Sequence, residues 1–181
     1  MDINDLSIYL CGFMGCGKSH VGRQLAAALN KKFVDLDKYI VNKERMSIPE
    51  IFEKFGEPHF RQLEAKYIRS LSNGNVIATG GGALINDDTA KFARESGMCV
   101  FINTSFEICY KRIKGDTNRP LVMNNTPEQL EEIYRKRAEI YKRNSTYTVN
   151  GCAHDTVIMN EIIKLARYFS SKCTQAAEFS E

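Results

Sequence analysis

A glycine-rich segment near the N-terminus has the spacing of a phosphate-binding loop. Residues 12–19 read GFMGCGKS, in which Gly12 is followed, after four residues, by Gly-Lys-Ser. Glycines let the backbone turn tightly and point successive N–H groups at an anion, and the helix that follows presents its positive end to the same place. In this pattern Lys18 contacts the β- and γ-phosphates and the Ser19 hydroxyl ligates Mg²⁺. The segment therefore predicts a site for a nucleoside triphosphate rather than an ordinary tight turn.

Two aspartates follow the next apolar segment, which reads KFVDLD. Asp35 and Asp37 are two residues apart, so on an extended chain they point to the same side. Ligands of parallel α/β sheets bind beyond the carboxyl ends of the strands, where both carboxylates could reach the phosphates. One could hold the Mg²⁺ shell and the other could orient an attacking hydroxyl. A pair of acids also commonly starts a turn, but a phosphate-binding loop on what we expect to be the neighbouring strand favours the first interpretation.

A third group of residues is suited to an anionic acceptor. Arg61 lies on a predicted helix with Glu57 and Glu64 at positions that face it. Helical salt bridges explain most such triplets, but a guanidinium held by two carboxylates is also rigid enough to grip a substrate carboxylate in bidentate fashion. The segment TGGGA ends a predicted strand, where absent side chains would let a ligand lie against the backbone. Its glycines are Gly80, Gly81 and Gly82.

Two basic segments lie further along the chain. The segment RIKGDTNRPL places Arg112 and Arg119 around residues that we expect to be mobile. An arginine on a closing loop can neutralise charge on a transferred phosphoryl group and exclude water, although a solvated basic loop has the same spacing. The segment YRKRAEIY supplies three more basic residues on a predicted helix, and periodicity alone does not decide which one points inward. They are Arg135, Lys136 and Arg137.

Short apolar segments precede these candidate residues and alternate with amphipathic ones. The predicted strands are LSIYLCG, KFVDLD, NVIATGGG, MCVFINT and TYTVN. Because each crossover between parallel strands needs a helix, the alternation predicts a parallel sheet covered on both faces. Between the second and third strands, two helices should meet near Gly56 and Pro58, which break helical periodicity.

The composition favours one globular domain that binds small molecules. The chain has 181 residues and a formal net charge of +3, with acids interspersed among the bases, so no basic stripe indicates nucleic acid. No apolar segment approaches the roughly 20 residues of a membrane helix, and the N-terminus lacks the pattern of a secretion signal. The six cysteines have no metal-site spacing. We therefore expect a cytoplasmic monomer with reduced thiols.

Taken together, these motifs resemble those of shikimate kinase over about residues 7 to 165. The phosphate-binding loop is widely shared, whereas Asp-Leu-Asp, Gly-Glu-x-x-Phe-Arg-x-x-Glu and Gly-Gly-Gly in one chain are highly specific. The resemblance implies an α/β, P-loop NTPase-like three-layer sandwich with a five-stranded parallel sheet flanked by helices. It further implies a single domain over 1–172, with a shikimate-binding segment at about 33–62, a mobile lid at about 112–126 and a frayed tail at 173–181.

The resemblance also implies transfer of the γ-phosphoryl group of Mg·ATP to the 3-hydroxyl of shikimate, a step of chorismate and aromatic amino-acid biosynthesis. Asp37 would accept hydrogen bonds from the hydroxyls and either orient or deprotonate the attacking one. Lys18 and Arg119 would stabilise the transferring phosphoryl group, with Arg119 on the lid. Ser19 would ligate Mg²⁺ directly and Asp35 would do so through water.

The remaining contacts are implied position by position. Arg61 and Arg137 would hold the shikimate carboxylate, and Arg112 would pack near the adenine. The implied ATP contacts are Gly12, Gly15, Cys16, Gly17, Lys18, Ser19, His20, Arg112 and Arg119. The implied shikimate contacts are Asp37, Arg61, Gly80, Gly81, Gly82 and Arg137. Two positions depart from the family pattern: His20 replaces a frequent threonine, and Glu139 replaces a usual proline, so that the helix carrying Arg137 could continue further.

Two other functions fit parts of the pattern. A P-loop kinase could act on another small acceptor, such as gluconate or a nucleoside monophosphate, but the paired arginines favour an acid substrate. A nucleotide-dependent binding domain could retain the loop without turnover, but Asp37 and Arg119 argue against it. Release of ADP that depends on the acceptor distinguishes these possibilities.

Overall fold

The computed structural model describes residues 2–117 and 119–178, with side chains described as far as residue 174. Its strands are β1 (Ser7–Cys11), β2 (Phe33–Asp35), β3 (Val76–Ala78), β4 (Gly97–Asn103) and β5 (Tyr147–Asn150). Its helices are α1 (Lys18–Ala28), α2 (Leu36–Glu44), α3 (Ile48–Ser70), α4 (Asp87–Ser96), α5 (Phe106–Ile113), α6 (Pro120–Met123), α7 (Pro127–Asn144) and α8 (Asp155–Glu178). A short 3₁₀ turn, Ala83–Ile85, connects β3 to α4.

All five strands pair in parallel, in the order β2-β3-β1-β4-β5. The sheet is buried, as the predicted helical layers require: every residue of β1 and β3 is inaccessible to solvent. The strand carrying Asp35 was expected to neighbour the phosphate-binding loop's strand, but β3 lies between them. That order makes the chain leave β1 toward one edge of the sheet and leave β3 toward the other. The carboxyl ends of β1 and β3 therefore form a switch point, where α/β sheets bind ligands.

Local sequence signals explain where the longer helices begin and bend. Ser47 starts α3 with a capping box to Glu50. The predicted break is present at Gly56, whose φ of 78° and ψ of 169° lie outside the helical region, two residues before Pro58. Thr126 starts α7 with a second capping box, and the helix continues past Glu139 to Asn144. An uninterrupted α7 follows from the absence of the proline.

Some predicted boundaries differ from the observed ones. The predicted strand KFVDLD ends early, because α2 begins directly after Asp35. The C-terminal tail was expected to begin at residue 173, whereas α8 continues to Glu178 and residues 179–181 lie outside the described part of the chain. Among the helices of the described residues, none is long and apolar enough to span a membrane.

Candidate active site

A cleft of about 1160 Å³ lies along the carboxyl ends of the strands. It is lined by most of the residues selected from the sequence: Gly15, Cys16, Gly17, Lys18, Ser19, His20, Asp35, Asp37, Arg61, Gly81, Gly82, Arg112, Arg119 and Arg137. Gly12 and Gly80 are absent from its lining. The fold thus brings six sequence motifs, spread over more than half of the chain, to one continuous surface.

The phosphate-binding loop closes around the Lys18 side chain. The Lys18 Nζ atom donates to the carbonyl oxygens of Gly12 at 2.9 Å and Phe13 at 3.0 Å. Gly15 and Gly17 have φ values of 80° and 105°, a region that residues with a Cβ rarely adopt. A Cβ at Gly15 would also approach the Cys109 carbonyl oxygen at 2.6 Å. Glycine at these positions therefore permits a loop whose lysine lies in its mouth, at the N-terminus of α1.

Thr104, a buried residue that the sequence analysis did not select, stabilises the phosphate-binding loop through a hydrogen bond to its backbone. The Thr104 hydroxyl, which follows β4, donates to the Cys16 carbonyl at 3.0 Å, and the Thr104 carbonyl accepts from the Tyr134 hydroxyl at 3.0 Å. The Cys16 side chain is itself buried. Because Thr104 is 88 residues from Cys16, no local spacing signals the contact.

Ser19 and Asp35 form an oxygen pair beside the loop. The Ser19 hydroxyl donates to Asp35 Oδ2 at 2.6 Å, while Asp35 Oδ1 caps α2 by accepting from the Lys38 backbone N–H at 3.3 Å. Mg²⁺ prefers oxygen ligands and usually takes only one or two from the protein, with phosphates and water completing its octahedron. A hydroxyl and a carboxylate next to a phosphate-binding loop fit that requirement. The described residues contain no cluster of three or more side chains suited to an all-protein metal site.

Asp37 lies in the first turn of α2 rather than on the strand. The prediction that Asp35 and Asp37 point to the same side of an extended strand is therefore wrong. Asp37 is half-buried in the cleft. Desolvation, followed by the neighbouring Asp35 charge, raises the pKa of the Asp37 carboxyl above its ordinary value. Lys18, Arg119 and Arg61 act in the opposite direction. Asp37 therefore lies within electrostatic range of Lys18, Arg119 and Arg61 and has increased basicity.

Arg61 is held rigidly on α3, as the flanking glutamates predict. Its Nη1 donates to Glu64 Oε2 and its Nη2 to Glu57 Oε1, both at 2.6 Å. A Cβ on Gly82 would overlap the guanidinium group. Glycine at this position thus lets the arginine lie flat against the backbone that follows β3.

Glu64 was recognised as a partner of Arg61 but was not selected as a site residue. Its side chain is 1% exposed and its Oε1 atom has no hydrogen-bond partner among the described residues. A Cβ on Gly80 would overlap Glu64 Oε1 and lie 2.6 Å from Asp37 Oδ1, so these two carboxylates flank the same glycine. Burial raises the pKa of Glu64 to about 7, against the opposing effect of Arg61. The site therefore contains, besides Asp37, a buried carboxyl group whose pKa lies near neutral pH.

Of the three basic residues in the segment YRKRAEIY, the structure brings one into the cleft. Arg137 Nη1 donates to the Gly81 carbonyl at 3.4 Å. Arg135 and Lys136 instead pair with acids one turn earlier, and their side chains are 74% and 73% exposed. Arg137 and Arg61 thus approach the glycine segment from two different helices.

The remaining predicted contacts lie at the nucleotide end of the cleft. Arg112 Nη1 donates to the Gly15 carbonyl at 2.9 Å. Arg119 begins α6 and its Nε bonds Asp116 Oδ2 at 2.9 Å. His20 Nε2 lies 2.9 Å from Asp155 Oδ2, which links the first turns of α1 and α8. All three side chains line the same cleft as the phosphate-binding loop.

Comparison with known proteins gives one consistent result. The family model for shikimate kinase matches residues 14–167. The shikimate kinase of Geobacter sulfurreducens is 47% identical over 138 residues, covering 75% of this chain and 76% of that protein.

Two solved structures superpose closely. The shikimate kinase of Acinetobacter baumannii in complex with shikimate has a TM-score of 0.80 at 33% identity, covering 99% of this chain and 97% of that one. The shikimate kinase of Aquifex aeolicus has a TM-score of 0.79 at 37% identity, covering 92% and 98%. The fold is the predicted α/β P-loop fold, and the chain belongs to the shikimate kinase family.

Proposed function

We propose that this protein transfers the γ-phosphoryl group of Mg·ATP to the 3-hydroxyl of shikimate, giving shikimate 3-phosphate and ADP for chorismate and aromatic amino-acid biosynthesis. The observation that carries the proposal is the pair Arg61 and Arg137, which line one cleft with a complete phosphate-binding loop. Two guanidinium groups suit a substrate carboxylate. Asp37 interacts electrostatically with both Lys18 and Arg61, so we assign it to the acceptor hydroxyl that meets the γ-phosphate.

At the nucleotide end, the loop's N–H groups and Lys18 bind the phosphates, and Arg112 and His20 border the adenosine. Ser19 would hold Mg²⁺ directly and Asp35 would hold it through water. When bound, the ion neutralises phosphate charge and orients the phosphates. The full set of nucleotide contacts that we propose is Gly12, Gly15, Cys16, Gly17, Lys18, Ser19, His20, Arg112 and Arg119.

At the acceptor end, Arg61 and Arg137 hold the shikimate carboxylate against the backbone of Gly80, Gly81 and Gly82. Asp37 accepts the proton of the 3-hydroxyl as that oxygen attacks the γ-phosphorus atom and the bond to the β–γ bridging oxygen breaks. Lys18 and Arg119 stabilise the charge on the transferring group. Phosphoryl transfer depends mainly on positioning and charge stabilisation, and each of these side chains supplies one or the other.

We divide the single domain by function, keeping in it the whole of α8, which continues past the residue 172 expected as its end. The segment at about 33–62 binds shikimate, and the segment at about 112–126 acts as a lid that carries Arg119 over the phosphates. A closed lid excludes the water that would otherwise hydrolyse ATP.

We further propose that the protein works as a cytoplasmic monomer. All six cysteines are free thiols, and four of them are buried, as suits a reducing compartment. The large apolar side chains exposed among the described residues, Phe55, Met123, Val157 and Tyr168, come from three different helices rather than from one contiguous sequence segment.

The proposed reaction is tested by ADP release from Mg·ATP with shikimate, gluconate or a nucleoside monophosphate as the acceptor. We expect ADP release to rise with shikimate alone. A rise with gluconate or the nucleotide instead would assign the site to another acceptor. Measurable ATP binding without a rise for any acceptor would indicate a binding domain without turnover.

Gly82 provides a test of the Arg61 contact that leaves the charged residues unchanged. The methyl group of Gly82→Ala would overlap the Arg61 guanidinium and displace it. Because a charge-assisted hydrogen bond contributes about 1.5–3 kcal/mol, we expect KM for shikimate to rise roughly 10- to 100-fold. ATP affinity, measured by calorimetry on the same variant, should be unchanged. Equal losses for both substrates would indicate general disruption of the cleft.

Glu64 should make shikimate binding depend on pH. Its pKa is raised to about 7, so the group is mostly neutral at about pH 6 and mostly charged at about pH 8. A charged Glu64 adds a negative charge beside Asp37 and competes with the substrate carboxylate for Arg61, which weakens anion binding. We therefore expect KM for shikimate to rise several-fold from about pH 6 to about pH 8, and Glu64→Gln to abolish most of that rise. An identical pH profile in both proteins would contradict the assignment.

A further inference from the structure

The carbonyl oxygen of Gly81 receives two hydrogen bonds from α7. The Tyr141 hydroxyl donates to it, and Arg137 Nη1 donates to it at 3.4 Å. Arg137 and Tyr141 are four residues apart, so they project from the same face of the helix. One carbonyl thus connects the glycine segment to two side chains. They are Arg137, which we propose binds shikimate, and Tyr141, which the sequence analysis did not select.

Tyr141 has the properties of a fixed hydrogen-bond donor. It is 1% exposed and its ring packs against Phe101, with 5.4 Å between the ring centroids. Burial raises the pKa of its hydroxyl well above the ordinary value. The hydroxyl therefore keeps its proton and stays a donor toward the Gly81 carbonyl oxygen.

The direction of the Gly81 carbonyl determines the direction of the next N–H group. The described residues contain no cis peptide bond, and in a trans peptide the C=O and the following N–H point opposite ways. Bonding the Gly81 carbonyl to Tyr141 therefore turns the Gly82 N–H away from α7. In the described part of the chain, the Gly81 and Gly82 N–H groups have no recorded backbone acceptor, and both residues line the cleft. They remain as donors for a ligand.

We infer that Tyr141 is a positioning residue for the acceptor site: its hydroxyl fixes the Gly81–Gly82 peptide and, through the shared carbonyl, the pose of Arg137. Glycine peptides rotate easily, because no Cβ restricts φ and ψ. A Cβ at Gly81 would meet its nearest heavy atom only at 3.7 Å, so no close contact at this position fixes the peptide in one orientation. The Tyr141 hydrogen bond supplies the missing constraint. This inference rests on the proposed function, because the ligand it serves is shikimate.

The test compares Tyr141→Phe with Tyr9→Phe. Tyr9 is also fully buried and its hydroxyl bonds Ser96 Oγ at 2.8 Å, but it does not line the cleft. Each variant loses one buried hydrogen bond and keeps its ring. We expect Tyr141→Phe to raise KM for shikimate about 3- to 10-fold, the loss that one hydrogen bond corresponds to, with little change in KM for ATP. Tyr9→Phe should leave both KM values unchanged even if the melting temperatures fall equally.

A third variant separates the hydroxyl from the packing. Phe101→Leu loosens the environment of the Tyr141 ring but keeps its hydroxyl, so KM for shikimate should stay near the wild-type value. The inference is overturned if Tyr141→Phe has the shikimate KM of Tyr9→Phe, or if Phe101→Leu raises it as much as Tyr141→Phe does. Failure of the proposed function is a different result, in which the wild-type protein releases no shikimate-dependent ADP.

Discussion

Replacing Asp37 with asparagine should lower kcat by ~10²–10⁴-fold, the range typical for loss of a general base. Asparagine keeps the size and one acceptor oxygen of aspartate but cannot take up the hydroxyl proton. The location supports this role, because Asp37 lines the cleft and desolvation there raises the pKa of its carboxyl. A more basic carboxylate is a better proton acceptor near neutral pH. Steady-state kinetics with saturating ATP and shikimate measures the effect.

Asp88 offers a matched control for this substitution. It is an exposed acid in the first turn of α4, as Asp37 is an acid in the first turn of α2. Asp88→Asn should leave kcat unchanged. A loss of only a few-fold in Asp37→Asn would mean that Asp37 orients the hydroxyl by accepting a hydrogen bond and that the proton leaves by another route.

Removing the lid arginine should have a comparable or larger effect. Arginines that stabilise charge on a transferring phosphoryl group contribute ~10³–10⁵-fold to kcat in phosphoryl-transfer enzymes. Arg119 begins α6, lines the cleft and influences the Asp37 carboxyl electrostatically. We therefore expect Arg119→Ala to reduce kcat within that range while nucleotide affinity changes far less, because the interaction is strongest in the transition state.

Arg135 is the control for this second prediction. It lies on α7, pairs with Glu131 in solvent and is absent from the cleft lining. Arg135→Ala should therefore retain wild-type kcat and KM values. If Arg119→Ala lowers KM and kcat together, or lowers kcat by less than about tenfold, the lid arginine does not stabilise the transition state in the way that we propose.

The parts of the site that could be predicted are those encoded by short spacings. The glycines of the phosphate-binding loop, with Lys18 and Ser19, follow one another directly in the sequence. Arg61 and its two glutamates are related by one helical turn, so periodicity was enough to bring them together. The strands of the sheet could also be predicted from local sequence, because each is a short apolar segment between turn signals.

Other parts depend on contacts that local sequence does not record. The order of strands in the sheet could not be predicted, because several orders are compatible with the same pattern of strands along the chain. The structure places β3 between β1 and β2. Asp37 was predicted on the strand but lies in α2, because Asp35 is both the end of the strand and the N-cap of the helix. Tyr141 bonds a residue 60 positions away and Thr104 one 88 positions away. Such residues look like ordinary core members until the fold brings their partners to them.

Analysis of the product shows most directly whether the protein transfers a phosphoryl group to the 3-hydroxyl of shikimate. Purified protein, Mg·ATP and shikimate would be followed by phosphorus NMR and the product's mass determined. We expect a phosphomonoester on the 3-oxygen of shikimate to accumulate in equal amount to ADP. Accumulation of ADP with inorganic phosphate and unchanged shikimate would contradict that expectation, because the cleft would then activate water rather than the acceptor.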